Sequence, residues 1–127
     1  MKLWLDDLRP APEEYVWCKS VNKAKGLIID YEKDQQFLYD IAMDFLHSGE
    51  KRAYHNVMQV YKHREIELID TDYDSGDYNI DGGDYIKFLD WLEETGRNYP
   101  IRIHSANAVG IQNMRRIIQR NGWKEVF

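Results

Sequence analysis

Three short apolar runs in this chain break off into polar clusters. Leu3-Trp4-Leu5 meets Asp6-Asp7-Leu8-Arg9, Ile66-Glu67-Leu68-Ile69 meets Asp70-Thr71-Asp72-Tyr73-Asp74, and Ile101-Arg102-Ile103 meets His104-Ser105-Ala106-Asn107. Lys2 to Leu5, Glu65 to about Asp72 and Ile101 to His104 read as strands, and the aromatic and β-branched run Tyr15 to Cys18 as another. Pro10 and Pro12 keep the first connection out of a helix. Ser20 is placed to cap a helix from Val21 to about Lys33, with Val21, Ala24, Leu27, Ile28 and Tyr31 on its apolar side. Asp34 is placed to cap a second, in which Phe37, Leu38, Ile41, Ala42, Phe45 and Leu46 form a stripe ending near Gly49. The basic stretch Lys51 to Arg64 permits a further helix through Val57, Val60 and Tyr61. After Gly82-Gly83, Tyr85, Phe88, Leu89 and Leu92 mark a buried helical face that Gly96 stops. Gly110 to Asn121 follows with Ile111, Met114, Ile117 and Ile118 inward, then Gly122 as its C-terminal residue. Trp123 to Phe127 has the pattern of a last strand.

Strands alternating with helices predict an α/β fold with a mostly parallel sheet and right-handed crossovers. At 127 residues the chain suits one domain, 1–127, with a helical insertion at about 34–64. The formal charge of -5 argues against broad DNA binding. It leaves room for a small nucleotide or an RNA end, where local charge decides. The opening residues reach Asp6 and Asp7 too soon for a secretory leader or a membrane span, so a cytoplasmic protein with no membrane partner is expected. The lone Cys18 has no disulfide partner and is expected to pack in its strand.

If the three runs are neighbouring parallel strands, their polar clusters meet at one sheet edge, where open α/β folds place ligands. Asp6 and Asp7 with a third carboxylate would make the hard oxygen site that Mg²⁺ prefers; the alternative is a solvated turn. The segment from Asp70 to Asp84 adds Asp72, Asp74, Asp77 and Asp81 without a Lys or Arg between them. A calcium loop of the EF-hand type fits it poorly, with Ser75 where glycine belongs, Asp81 where glutamate belongs, and a strand before it. An acidic surface loop is the other alternative. Ser105 can donate to a phosphoryl oxygen and Asn107 can donate or accept, although both could instead cap the following helix. His104 can act as acid or base, or simply pack at a strand end. Arg9 follows the first acidic pair and can reach a phosphate, whereas Arg115, Arg116 and Arg120 fall mainly on a solvated helix face.

Lys2 to Pro12, His104-Ser105-Ala106-Asn107 and Gly110 together resemble the divergent receiver domains called cyclic-phosphate processing receiver domains. Tyr15-Val16-Trp17 joins the match, and Asp72-Tyr73-Asp74-Ser75-Gly76 resembles that family's Asp-His-Asp-Leu-Gly motif. The resemblance covers the frame but not the segment from Asp34 to Arg64. It implies a response-regulator, receiver-like (flavodoxin-like) fold with helices on both faces of the sheet. It also implies a role with cyclic phosphates, such as the 2′,3′-cyclic ends left on cleaved RNA, and hence RNA repair. Asp6 and Asp7 match the metal-binding acids, Asp72 the acid after the third strand and Ser105 the hydroxyl residue after the fourth. Asp70-Thr71-Asp72 can also be laid on the Asp-x-Asp pattern; Asp72 is preferred for the metal. Tyr73 stands where the family often has His, and Ala108 where Pro is frequent. Lys124 lies too near the start of the final strand to match the phosphoryl-pairing lysine of ordinary receivers.

The leading expectation is a metal-dependent phosphoesterase. Asp6, Asp7 and Asp72 would hold Mg²⁺ or another divalent metal, and Arg9, Ser105 and Asn107 would bind the phosphoryl group. Asp72, His104 and Asp74 would serve catalysis. The partner would be a phosphate-containing small molecule or an RNA end. The alternatives are a non-catalytic receiver-like module binding phosphate or a protein partner, and an interaction protein using the insertion helices.

Overall fold

A computed structural model describes residues 1–127, the side chain of His63 excepted. Its frame is a four-stranded, all-parallel sheet with strand order β2-β1-β3-β4. The strands are β1 (Lys2–Leu5), β2 (Tyr15–Cys18), β3 (Leu68–Thr71) and β4 (Ile101–Ile103). The helices are α1 (Val21–His47), α2 (Lys51–His63), α3 (Ile86–Glu94) and α4 (Ala108–Asn121), and a 3₁₀ turn occupies Gly76–Ile80. The parallel α/β sheet is the one expected from the alternation of elements, and it has the receiver-like, flavodoxin-like form that the family resemblance implies.

The chain divides into two compact units, Met1–Lys25 with Ile66–Phe127, and Gly26–Glu65. In the first, Leu3, Leu5, Ile69 and Ile101 are fully buried in the strands. Tyr85, Phe88, Leu89 and Leu92 at the start of and along α3 are fully buried too, as are Met114 and Ile118 of α4. Gly122 ends α4 in the left-handed conformation (φ 66°), donating its N–H to the Gln119 carbonyl. Beyond it the chain makes only an isolated parallel bridge, Ile101 with Glu125, rather than a full fifth strand.

The second unit holds most of α1 and all of α2. Asp34 does not start a helix: α1 runs unbroken for 27 residues. No proline interrupts it, and Ile28, Tyr31, Gln35, Leu38 and Ala42 continue one i, i+3/i+4 stripe through the expected break. Asp34 instead pairs with Arg64 of the same unit at 3.4 Å. The Gln35 amide donates to the Tyr61 carbonyl at 3.0 Å, tying α1 to α2. Phe37 and Leu46, expected on the apolar stripe, are exposed. Among the described residues, no helix is long and apolar enough to cross a membrane.

Candidate functional site

Strand register places the chemistry before any loop does. Trp4 of β1 pairs with Asp70 of β3, which pairs with Arg102 of β4. Side chains alternate along a strand, so Trp4, Asp70 and Arg102 share one face. The residues two further on, Asp6, Asp72 and His104, continue that face past the strand ends. The ladder extends to hold them, with Asp72 N–H donating to the Leu5 carbonyl (2.8 Å) and His104 N–H to the Thr71 carbonyl (2.9 Å). The chain leaves β1 toward β2 on one side and returns to β3 on the other. The crevice between β1 and β3 is therefore the topological switch point.

Asp6, Asp72 and His104 form a group whose ligating atoms lie within 4.8 Å of one another, a candidate divalent-metal centre. Asp6 is buried and rigidly held: its Oδ1 accepts the N–H groups of Leu8 (2.9 Å) and Arg9 (2.8 Å). Its Oδ2 faces His104 Nε2 at 2.9 Å. His104 Nδ1 lies 2.6 Å from the equally buried Asp70, and the ring stacks on Trp4 with centroids 3.8 Å apart and planes 7° apart. Each imidazole nitrogen thus faces one buried carboxylate. Asp72 spends one oxygen on the Tyr73 N–H at 2.7 Å.

Asp7 is not in that group; its carboxylate lies over Gly76, where a Cβ would fall 2.2 Å from Asp7 Oδ2. The positive φ of Gly76 (54°) and this contact both require glycine there. Arg9 contributes its backbone to the site, while its side chain is exposed. Ser105 Oγ accepts the Asn107 N–H at 3.1 Å, which leaves its own hydrogen to donate. Asn107 caps α4, its Oδ1 accepting the Gly110 N–H at 2.9 Å, and its amide reaches the exposed Asp74 at 3.4 Å. Arg115 pairs with Glu125 (2.8 Å) and Arg120 with Glu93 (2.8 Å), while Arg116 donates to Asn113 Oδ1 at 3.3 Å, all away from the strand ends.

The acids of the long acidic segment do not converge as a calcium loop would require. Asp81 is held below the usual carboxylate range by the Ser20 hydroxyl (2.6 Å) and then the Asn22 amide (3.1 Å). Burial pushes Asp84 up, but the Ser75 N–H, the Asn79 amide and the Ser75 hydroxyl outweigh it and hold it low. The buried Tyr85 phenol is driven far up, first by desolvation and then by the charges of Asp7, Asp6 and Asp72. It donates to the Lys19 carbonyl at 2.7 Å.

Residue-by-residue reading missed Asp70 and Trp4 as the partners of His104. The signal was present: an aspartate inside the apolar run Leu68–Thr71, with every residue of that strand buried, needs a partner. Trp17 was also missed, although its indole N–H donates to the Asp6 carbonyl at 2.7 Å.

No curated protein and no solved structure matches the chain. The model of the cyclic-phosphate processing receiver domain family matches residues 1–51 and again 50–120. With its parallel sheet and the acids and histidine at the strand ends, the chain belongs to the cyclic-phosphate processing receiver domain family.

Proposed function

We propose that this domain binds a divalent metal, Mg²⁺ or another, together with a phosphoryl group, and acts as a phosphoesterase on cyclic phosphates. The 2′,3′-cyclic ends of RNA or of nucleotides, as arise in RNA repair, are the substrates of choice. The observation that carries this reading is the meeting of Asp6, Asp72 and His104 at the β1–β3 switch point.

The donor set suits a divalent ion. Asp6 and Asp72 offer hard oxygens, and Asp70 behind His104 Nδ1 repeats the carboxylate–histidine pairing that orients metal-binding imidazoles. Asp6 and Asp72 would hold the ion, with Asp7 beside them; when bound, it would polarise a phosphoryl oxygen and acidify a water. The chain's own groups do the rest. The Leu8 and Arg9 N–H groups fix the Asp6 carboxylate, so Oδ2 faces the site without a rotamer search. Ser105 Oγ and the Asn107 amide offer donors from the β4 side to charge growing on phosphoryl oxygens, and Arg9 offers a cation from the β1 loop. The exposed Asp74 and His104 are the proton-transfer candidates, His104 being able to pass a proton only along its contact with Asp6.

That constraint favours a second reading, a non-catalytic phosphate-binding receiver module, because both imidazole nitrogens are taken by buried carboxylates. Incubation with nucleoside 2′,3′-cyclic phosphates and Mg²⁺ separates the two. Turnover that Asp72→Asn abolishes is the expected result. Metal-dependent binding without turnover would establish the second reading, and neither binding nor turnover would remove both.

A further inference from the structure

Beside the acidic strand ends lies a groove of about 570 Å³ lined by Trp17, Lys19, Ser20, Asn22, Lys23, Tyr78 and Asp81. Its volume lies in the range that takes a small organic ligand. One aromatic wall bonds to the acidic pair and the other belongs to a turn that begins beside it. Trp17 donates its indole N–H to the Asp6 carbonyl at 2.7 Å. Tyr78 belongs to the 3₁₀ turn that begins at Gly76, the residue against which Asp7 packs. The groove's wall at Trp17 is thus bonded to the backbone of an acid of the phosphoryl site.

We infer that this groove seats the nucleobase of a nucleoside 2′,3′-cyclic phosphate, stacked on Trp17 and bordered by Tyr78, while the cyclic phosphate lies at the strand ends. The inference rests on the proposed phosphoryl site and adds that the substrate is a nucleotide. Two aromatic side chains and a polar floor are the usual means of holding a flat heterocycle. Lys19 Nζ now lies over the Trp17 ring, 4.4 Å from its centroid. An exposed ammonium–indole contact is weaker than base stacking, so a base displaces the flexible lysine stem toward the rim. There Lys19 and Lys23 supply cations for a 5′-phosphodiester in a chain whose net charge is -5. Asp81 is tied to Ser20 at 2.6 Å and Asn22 at 3.1 Å, so the floor is set before a ligand arrives. Each Asp81 oxygen already accepts one of these bonds, so Asp81 shapes the floor rather than reading the base.

The test compares binding of adenosine 2′,3′-cyclic phosphate with that of the base-free methyl riboside 2,3-cyclic phosphate, by calorimetry with Mg²⁺ present. The nucleotide is expected to bind at least about tenfold more tightly, from the usual worth of one stacked base. Tyr78→Ala should remove most of that preference and leave binding of the base-free compound within about twofold, while Trp17→Leu, which also frees the Asp6 carbonyl, is read only by the ratio of the two affinities, which should fall toward one. Equal binding of the two compounds, or a preference that survives both substitutions, overturns the groove and leaves the phosphoryl site standing. Failure of both compounds to bind overturns the inference together with the reading beneath it. A dinucleotide with the same cyclic end that binds more tightly, and loses that gain in Lys19→Gln/Lys23→Gln, assigns an RNA end. Equal binding assigns a free nucleotide.

Discussion

Replacing His104 by leucine tests how far the imidazole's contacts with two buried acids hold the domain together. The Asp6 and Asp70 side chains are 1% and 3% exposed, and the ring reaches them at 2.9 Å and 2.6 Å. Leucine fills most of the volume but donates nothing. Asp6 keeps the Leu8 and Arg9 N–H groups, whereas Asp70 keeps the half-exposed Arg102, whose Nε stands 4.0 Å away. Stripping a buried acid of its hydrogen-bonding partner costs about 3–5 kcal/mol, because the polar group left behind is stranded. Losing the stack on Trp4 adds about 0.5–1.5 kcal/mol. The retained N–H groups on Asp6 place the total near the low end, about 4 kcal/mol, a large part of the 5–15 kcal/mol that usually holds a domain together. Urea denaturation at pH 7, followed by tryptophan fluorescence, measures it. The double variant His104→Leu/Asp70→Leu removes both members of the contact, and apolar replacement of both partners of a buried polar pair is often close to neutral. It should therefore recover about half of the loss. A single variant within about 1 kcal/mol of the wild type would refute the reasoning, as would a double variant less stable than the single.

Two further substitutions probe the surroundings of the site. A Cβ on Gly110 would fall 2.5 Å from Tyr73 Cγ, so Gly110→Ala must push that ring by about 1 Å. Helix propensity returns about 1 kcal/mol, while overpacking costs about 1–3. A net loss of about 1 kcal/mol is expected in thermal melts, relieved in Gly110→Ala/Tyr73→Leu; an unchanged or raised Tm would sink it. Cys18 is buried, and desolvation pushes its thiol from 9.0 up to about 11 despite the opposing charge of Lys23. A folded-state pKa raised above the unfolded one leaves stability complete below pH 9 and erodes it as pH rises toward 11. The loss accumulates at about 1.4 kcal/mol per pH unit. Cys18→Ala should lose this extra slope between pH 9 and 11 in denaturant titrations; parallel curves would show that the thiol stays protonated in neither state or in both.

Much of the frame was legible because its signals are local. The strands end where apolar runs end, and Gly122 stops α4 as a left-handed residue must. The unbroken α1 was not legible, because Asp34 has the chemistry of a cap and only its pairing with Arg64 shows where it goes. The 3₁₀ turn at Gly76–Ile80 was hidden for a related reason: it has no buried residue, and so no apolar period to read. In the site, Asp6, Asp72 and His104 came from the strand ends one at a time. Their joint geometry depends on register between β1, β3 and β4, which a chain without pairing information does not state.

Register also explains how so many acids can share one end of a sheet. Asp70, opposite Trp4 inside the ladder, is buried and takes its partners from the protein, His104 Nδ1 at 2.6 Å and Arg102 at 4.0 Å. Asp72 lies two residues further along the same face, past Thr71, and is only half-buried. That single step of the pleat sets one aspartate against the imidazole and leaves the other half-buried, one oxygen on the Tyr73 N–H. Asp81 and Asp84 are withdrawn in the same way by Ser20, Asn22, Ser75 and Asn79. The acidic excess therefore divides by partner. Asp70, Asp81 and Asp84 hold the scaffold. Asp6, held through one oxygen, and Asp72 turn their remaining oxygens to the crevice where the chain changes direction across the sheet.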